Sequence, residues 1–273
     1  MLPKITNLAE KTIRTLWQKR GIIFLFLAIT FTIICLTTLF GVKYYSKKGG
    51  SALKKVQTKE TSIKNQFNEY KIGLQTSPDR DIIKVFESNL QSLLNNIGDA
   101  QTTITDSVKI EKDKSKVASI AKPLGFAENN SINNYEQSYS YLKNFKDKLL
   151  YHDSLRYFFW ELLSYNPEKD LKGRSVTQNK GDFMYRVSLT MYNMNQIISK
   201  LEELDTNPEN LRYNKVFINK IKPVTKLSDD LLWATKDNQT SKSNYLRSQF
   251  IKQTEKLKID LASLLKQVAL KTL

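Results

Sequence analysis

The stretch "RGIIFLFLAITFTIICLTTLFGVKYYSKK", Arg20–Lys48, decides how the rest of the chain is read. From Ile22 to Val42 it runs 21 residues without a charge, an Asn, a Gln or a Pro. At about 1.5 Å per residue a helix of that length covers roughly 31 Å, close to the hydrocarbon thickness of a bilayer. Four threonines, Thr30, Thr32, Thr37 and Thr38, dilute the run, but their hydroxyls can bond back to the helix that carries them. A cleaved secretion signal has a shorter apolar core, about 7–15 residues, and a small-residue cleavage site. Here the run is followed by "GVKYYSKKGG", with no A-x-A pattern. The segment therefore reads as an uncleaved signal-anchor, one transmembrane helix over 22–42. Trp17 at one end and Tyr44 and Tyr45 at the other suit the membrane interface, where amphipathic rings settle.

Charge supports the same placement. The chain carries a formal +16. Residues 1–64 hold twelve Lys and Arg against Glu10 and Glu60. The excess is thus gathered around the apolar run, as a collar suited to anionic lipid head groups. A nucleic-acid binder would concentrate it on the folded part instead, so nucleic acid is not expected as a partner. Orientation is nearly balanced, with Lys4, Lys11, Arg14, Lys19 and Arg20 before the span and Lys43, Lys47, Lys48, Lys54, Lys55 and Lys59 after it. Lys19-Arg20 abuts the span directly, and long domains translocate largely regardless of charge. The expected topology is a short cytoplasmic tail with the large C-terminal part outside. Within the tail, Ile5, Leu8, Ala9, Ile13, Leu16 and Trp17 recur at helical spacing. They fit an amphipathic helix over 1–21 lying in the interface, or equally an extension of the span into water.

The remainder reads as all-α. Only nine glycines and six prolines interrupt 273 residues, which favours long helices over a turn-rich β fold. No strand-like alternation is present. "KKGGSALKK" suggests a flexible basic joint over 43–52. After it Leu53, Val56, Glu60, Ile63, Phe67, Tyr70 and Leu74 form a heptad-like stripe with Glu60 its one flaw. Two uses fit that stripe: a coiled-coil stalk pairing two copies through Leu53–Leu74, or one helix of an intramolecular bundle. "TSPDRD" offers Ser77 as N-cap and Pro78 at the first helical position. The helix it opens carries Ile82, Val85, Phe86, Leu90, Leu93, Leu94 and Ile97, so that 53–122 reads as a stalk region. "KIEKDKSKVASIAKPLG" (Lys109–Gly125) marks a candidate boundary, and 123–273 reads as a helical bundle domain. In it, one helix carries Ile132 to Leu149 and a second follows over Ser154–Pro167. A loop spans Asn166–Asp182, and the next helix carries Phe183, Val187, Met191, Met194, Ile197, Ile198, Leu201 and Leu204. Another carries Leu211, Val216, Phe217 and Ile221, is interrupted at Pro223, and resumes with Leu227, Leu231, Leu232 and Trp233. The last runs from Tyr245 to Leu273.

Chemistry is sparse. The single histidine, His152, sits in "LLYHDSL", where a cap or turn role beside Asp153 fits better than that of a general base. One His and one Cys, Cys35 in the span, do not make a zinc site. Glu202/Glu203 and Asp229/Asp230 are adjacent on helices and point to different faces, as solvated carboxylates do. Neither GxxxxGK[ST] nor GxGxxG occurs. No catalytic, cofactor-binding or metal-ligating residue is assigned, and no enzyme is expected. The sequons at Asn129 and Asn238 would matter only in a eukaryotic secretory pathway, which no other feature supports. Four consecutive aromatics, Tyr157, Phe158, Phe159 and Trp160, cannot all face one core, so one or two should reach a surface. The expected function is a single-pass membrane protein serving as a non-catalytic interaction or assembly module of the cell envelope, with a protein partner in or near the membrane. The alternatives are a cytoplasm-facing domain that binds anionic lipid or nucleic acid, and an extracytoplasmic sensor or ligand-binding bundle.

Overall fold

Scarce glycine and proline let the helices run long. The computed structural model describes residues 3–122, 132–174, 177–204 and 207–272, without the side chains of 3–23, 120 and 121. Among the described residues it is all-α: α1 (Pro3–Thr76), a 3-10 turn (Asp79–Asp81), α2 (Ile82–Ala121), α3 (Ile132–Ser164), α4 (Pro167–Asp170), α5 (Lys180–Glu203), α6 (Pro208–Lys236) and α7 (Thr240–Thr272). The boundary expected at 122/123 and the sequon at Asn129 fall on or beside residues outside the description, as does the side-chain stripe of the tail.

α1 holds the apolar run, which is long and apolar enough to cross a membrane. Its large side chains find no cover in the chain: Phe24 is 72% exposed, Phe26 70% and Phe40 71%. Its threonines behave as expected. Thr32 donates to Ala28 O at 2.8 Å, Thr37 to Ile33 O at 2.8 Å and Thr38 to Ile34 O at 2.7 Å, and Thr30 bonds to Phe26 O. Through 43–52, where the paired glycines suggest a joint, α1 continues unbroken. Gly49 is buried there instead of flexing, because α2 lies against it: a Cβ on Gly49 would meet Glu111 Oε1 at 2.7 Å.

Packing divides the chain into two units, Met1–Glu60 with Ala100–Ser140, and Thr61–Asp99 with Tyr141–Leu273. These divisions differ from a stalk over 53–122 followed by a bundle from 123, since α1, α2 and α3 each contribute to both units. In the first unit α1 and α2 run antiparallel. Gly49 meets Glu111 and, eight residues back along α1, Gly41 meets Val117, whose Cγ1 a Cβ would reach at 3.1 Å.

The second unit is a helical bundle. On α5 the buried positions Phe183, Val187, Thr190, Met194, Ile197 and Leu201 alternate at four and three. On α6 the same alternation runs through Asn210, Asn214, Phe217, Ile221, Val224, Ser228, Leu231 and Thr235. That average period of 3.5 keeps one stripe turned to its neighbours along the whole helix. Leu211 and Val216 lie off the stripe, 41% and 38% exposed, although the sequence reading places both on it. Nor does Pro223 break α6, which runs through it with the proline on the exposed face. The heptad-like residues of α1 are spent inside the chain: Ile63, Tyr70 and Leu74 are buried, and Phe67 meets Phe145 edge-on at 4.7 Å.

Two local readings change. The first turn after Pro78 is 3-10, with Pro78 and not Ser77 at the cap position; Lys266 fixes it by donating to Ser77 O at 2.7 Å and pairing with Asp79 at 3.3 Å. The two helices expected over 132–167 are one, α3, because "YHDS" turns its polar side chains to different sides without a glycine or proline to stop the helix.

Candidate functional site

α3 presents the four consecutive aromatics on successive faces, 100° apart, so only one can point inward. Phe159 does, fully buried and 4.9 Å from the ring of Phe217 on α6. Tyr157 and Trp160 face out, and Phe158 is half-buried. The sequence expectation that one or two rings reach a surface therefore holds.

Those outward rings line a groove of about 430 Å³ between α3 and α5. α5 supplies Tyr192, Asn193, Gln196, Ile197 and Lys200 to it. Lys200 Nζ lies 4.9 Å from the Tyr157 ring centroid and 5.7 Å from that of Phe158, within the range where a ring's negative face attracts a cation. Asn193 Nδ2 donates to Glu161 Oε2 at 3.2 Å, closing the floor between the helices. Arg156 is held at the rim by Asp153, 2.8 Å away. The groove thus combines aromatic faces, a cation and hydrogen-bonding amides. Such a set is suited to holding a ligand by contact.

His152 lies elsewhere and does not cap a helix. It is fully buried in the middle of α3, with Phe86 stacked on it at 6.0 Å. Its Nδ1 is 3.3 Å from Tyr70 Oη on α1 and its Nε2 is 2.6 Å from Thr272 Oγ1 on α7. The Thr272 hydroxyl donates to Val268 O at 2.8 Å, so its oxygen accepts from Nε2–H while Nδ1 accepts from the Tyr70 hydroxyl. This assignment leaves every polar atom of the chain of bonds partnered. Burial, and after it the Lys148 charge, hold the imidazole down at about 3. Burial, with the Asp153 charge second, pushes the Tyr70 hydroxyl up. A neutral imidazole with both nitrogens engaged offers a substrate no face; it ties α1, α3 and α7 together. Nothing in its sequence neighbourhood marks that role, beyond its being the one histidine.

A second buried polar pair joins α3 to α6. Tyr151 donates to Asn214 Oδ1 at 2.9 Å, and Asn214 Nδ2 donates to Leu201 O at 3.1 Å. Hydrophobicity patterning passes over both asparagines of that stripe because they are polar, although their spacing marks them as inward. The acidic pairs stay on solvated faces, Glu202 pairing with Lys222 at 3.8 Å. Among the described residues no group of three or more His, Cys, Asp or Glu side chains is placed to hold a metal ion. Cys35 is a free thiol in the apolar run. Compared with models of protein families, with curated proteins and with solved structures, the chain matches none.

Proposed function

We propose that the chain is a single-pass, membrane-anchored interaction module, with its apolar run 22–42 in the bilayer and its bundle on the outer face. The observation that carries the binding role is the α3–α5 groove. Tyr157, Trp160 and Tyr192 stand exposed around it, at 65%, 37% and 58%. Tyr and Trp are the residue types that dominate protein-binding hot spots, since a rigid ring covers much area at little entropy cost. The anchor is supported by the uncovered Phe and Leu side chains of α1, which a hydrocarbon surround would satisfy. The partner is another protein of the envelope, and the heptad-like stripe Leu53–Leu74 serves packing within the chain before any second copy.

The test places a photo-crosslinking amino acid at Tyr192 in intact cells and an impermeant thiol reagent against a Ser241→Cys, Cys35→Ser chain. A discrete protein adduct that disappears with Trp160→Ala, together with labelling of Cys at 241, is expected. Protection of that cysteine overturns the orientation, and an adduct indifferent to Trp160→Ala overturns the groove.

A further inference from the structure

The register between α1 and α2 sets a depth for α2 if 22–42 is the membrane span, the reading on which this inference rests. Gly41 is one residue from the end of the apolar run, and Val117 packs on it. Val117 is thereby held at the level where hydrocarbon gives way to head groups. Because α2 runs antiparallel to α1, its residues beyond Val117 go deeper. Lys122 lies five residues on, about 7.5 Å further at 1.5 Å per residue, and so on the hydrocarbon side of that level. Lys112 lies the same distance on the other side. Head-group layers are roughly 5–7 Å thick on each side.

The surface that α2 turns outward there is lysine-rich. Lys109, Lys112, Lys116, Ser119 and Lys122 are all exposed and follow one another at three and four residues, hence on one face. The buried stripe of the same stretch, Ser107, Glu111 and Ala118, lies on the other side of the helix from Lys109, Lys112 and Lys116. Glu111 is neutralised within the unit by Lys114 at 3.2 Å. Asp113 is the acidic neighbour of the lysine face and reaches only Lys116, at 3.9 Å. On α1 at the same level, Lys43, Lys47 and Lys48 are exposed as well. Lysine stems can lie along acyl chains while the ammonium groups reach phosphates.

We infer that the C-terminal turns of α2 are a second membrane contact, with Lys112 and Lys116 seated in the head groups of an anionic phospholipid leaflet beside the anchor. The full chain, carrying Cys35→Ser, is reconstituted into phosphatidylglycerol/phosphatidylcholine vesicles containing doxyl-labelled phosphatidylcholine. An environment-sensitive fluorophore is attached at one of three exposed positions, Ser119→Cys, Thr105→Cys or Phe31→Cys. Thr105 is 14 residues and about 21 Å of helix from Ser119, well above the head groups. Quenching at Ser119 several-fold greater than at Thr105, reduced by Lys112→Glu with Lys116→Glu, is expected. Quenching at Phe31 but only the Thr105 level at Ser119 overturns the second contact and leaves the anchor standing. No quenching at Phe31 overturns the anchor and this inference with it. Strong quenching at Ser119 that ignores the double charge reversal overturns the role of the lysines.

Discussion

The unit formed by Thr61–Asp99 and Tyr141–Leu273 is filled with rings and branched chains, among them Tyr70, Phe86, Phe159, Phe183, Phe217 and Phe250, all fully buried. The unit formed by Met1–Glu60 and Ala100–Ser140 closes mostly on smaller groups: Thr38, Gly41, Gly49, Ala52, Ala100, Ser107 and Ala118 line its helix contacts, beside Val56, Ile104 and Tyr135. The first kind of packing draws on apolar area removed from water. The second lets backbones approach closely, the mode helices use where lipid removes any hydrophobic drive for association.

The sharpest way to break that contrast is to empty the large-residue core. Phe159→Ala removes a ring held against Phe217 and should cost about 3–5 kcal/mol in denaturant unfolding of the detergent-solubilised protein; a loss under about 1 kcal/mol would mean the site collapses freely. Filling the small-residue contact should cost less. Gly49→Leu drives a side chain into Glu111, and about 1–3 kcal/mol is expected from the same measurement, with Gly50→Leu, whose Cβ would meet nothing within 4 Å, as the control that carries only the helix-propensity gain of about 0.8–1 kcal/mol. The buried histidine gives an effect of similar size that depends on pH. With His152 held near 3 when folded and 6.5 as its ordinary value, the unfolded chain takes up a proton that the folded chain refuses. Stability is whole above pH 6.5 and falls as pH drops toward 3, by about 2 kcal/mol at pH 5. Unfolding at pH 5 and pH 7.5 should show that difference in the parent chain, and His152→Phe should lack this component of it. An unchanged pH dependence would mean that the imidazole is protonated in the fold.

Much of the bundle is legible from periodicity, and the misses share one cause. On α5, Phe183, Val187, Met194, Ile197, Ile198 and Leu201 are all apolar and all buried, so pattern and packing agree. On α6 the inward face carries Asn210, Asn214, Ser228 and Thr235. A search for apolar residues slides off that face onto Leu211, Val216 and Trp233, the last 56% exposed with Lys236 4.9 Å from its ring. The polar members can be inward because they are bonded: Asn210 N to Asn207 Oδ1, Asn214 to Tyr151 and Leu201, Ser228 to Val224 O at 2.9 Å, Thr235 to Leu231 O at 2.7 Å. The aromatic half of the groove was visible as "YFFW", while its α5 wall was not, because Tyr192 and Lys200 meet those rings only when the two helices lie side by side.

Composition, the apolar run and helical periodicity by themselves determined that the chain is all-α and carries one segment fit to cross a membrane. Those properties depend on residues close in sequence, through backbone propensity and hydration. Only the tertiary structure decided that α1 passes unbroken through Gly49–Gly50, that 61–99 packs with 141–273, and that His152 sits between Tyr70 and Thr272. Each of those depends on which distant helix fills the space beside a residue, and local sequence carries no record of the neighbour.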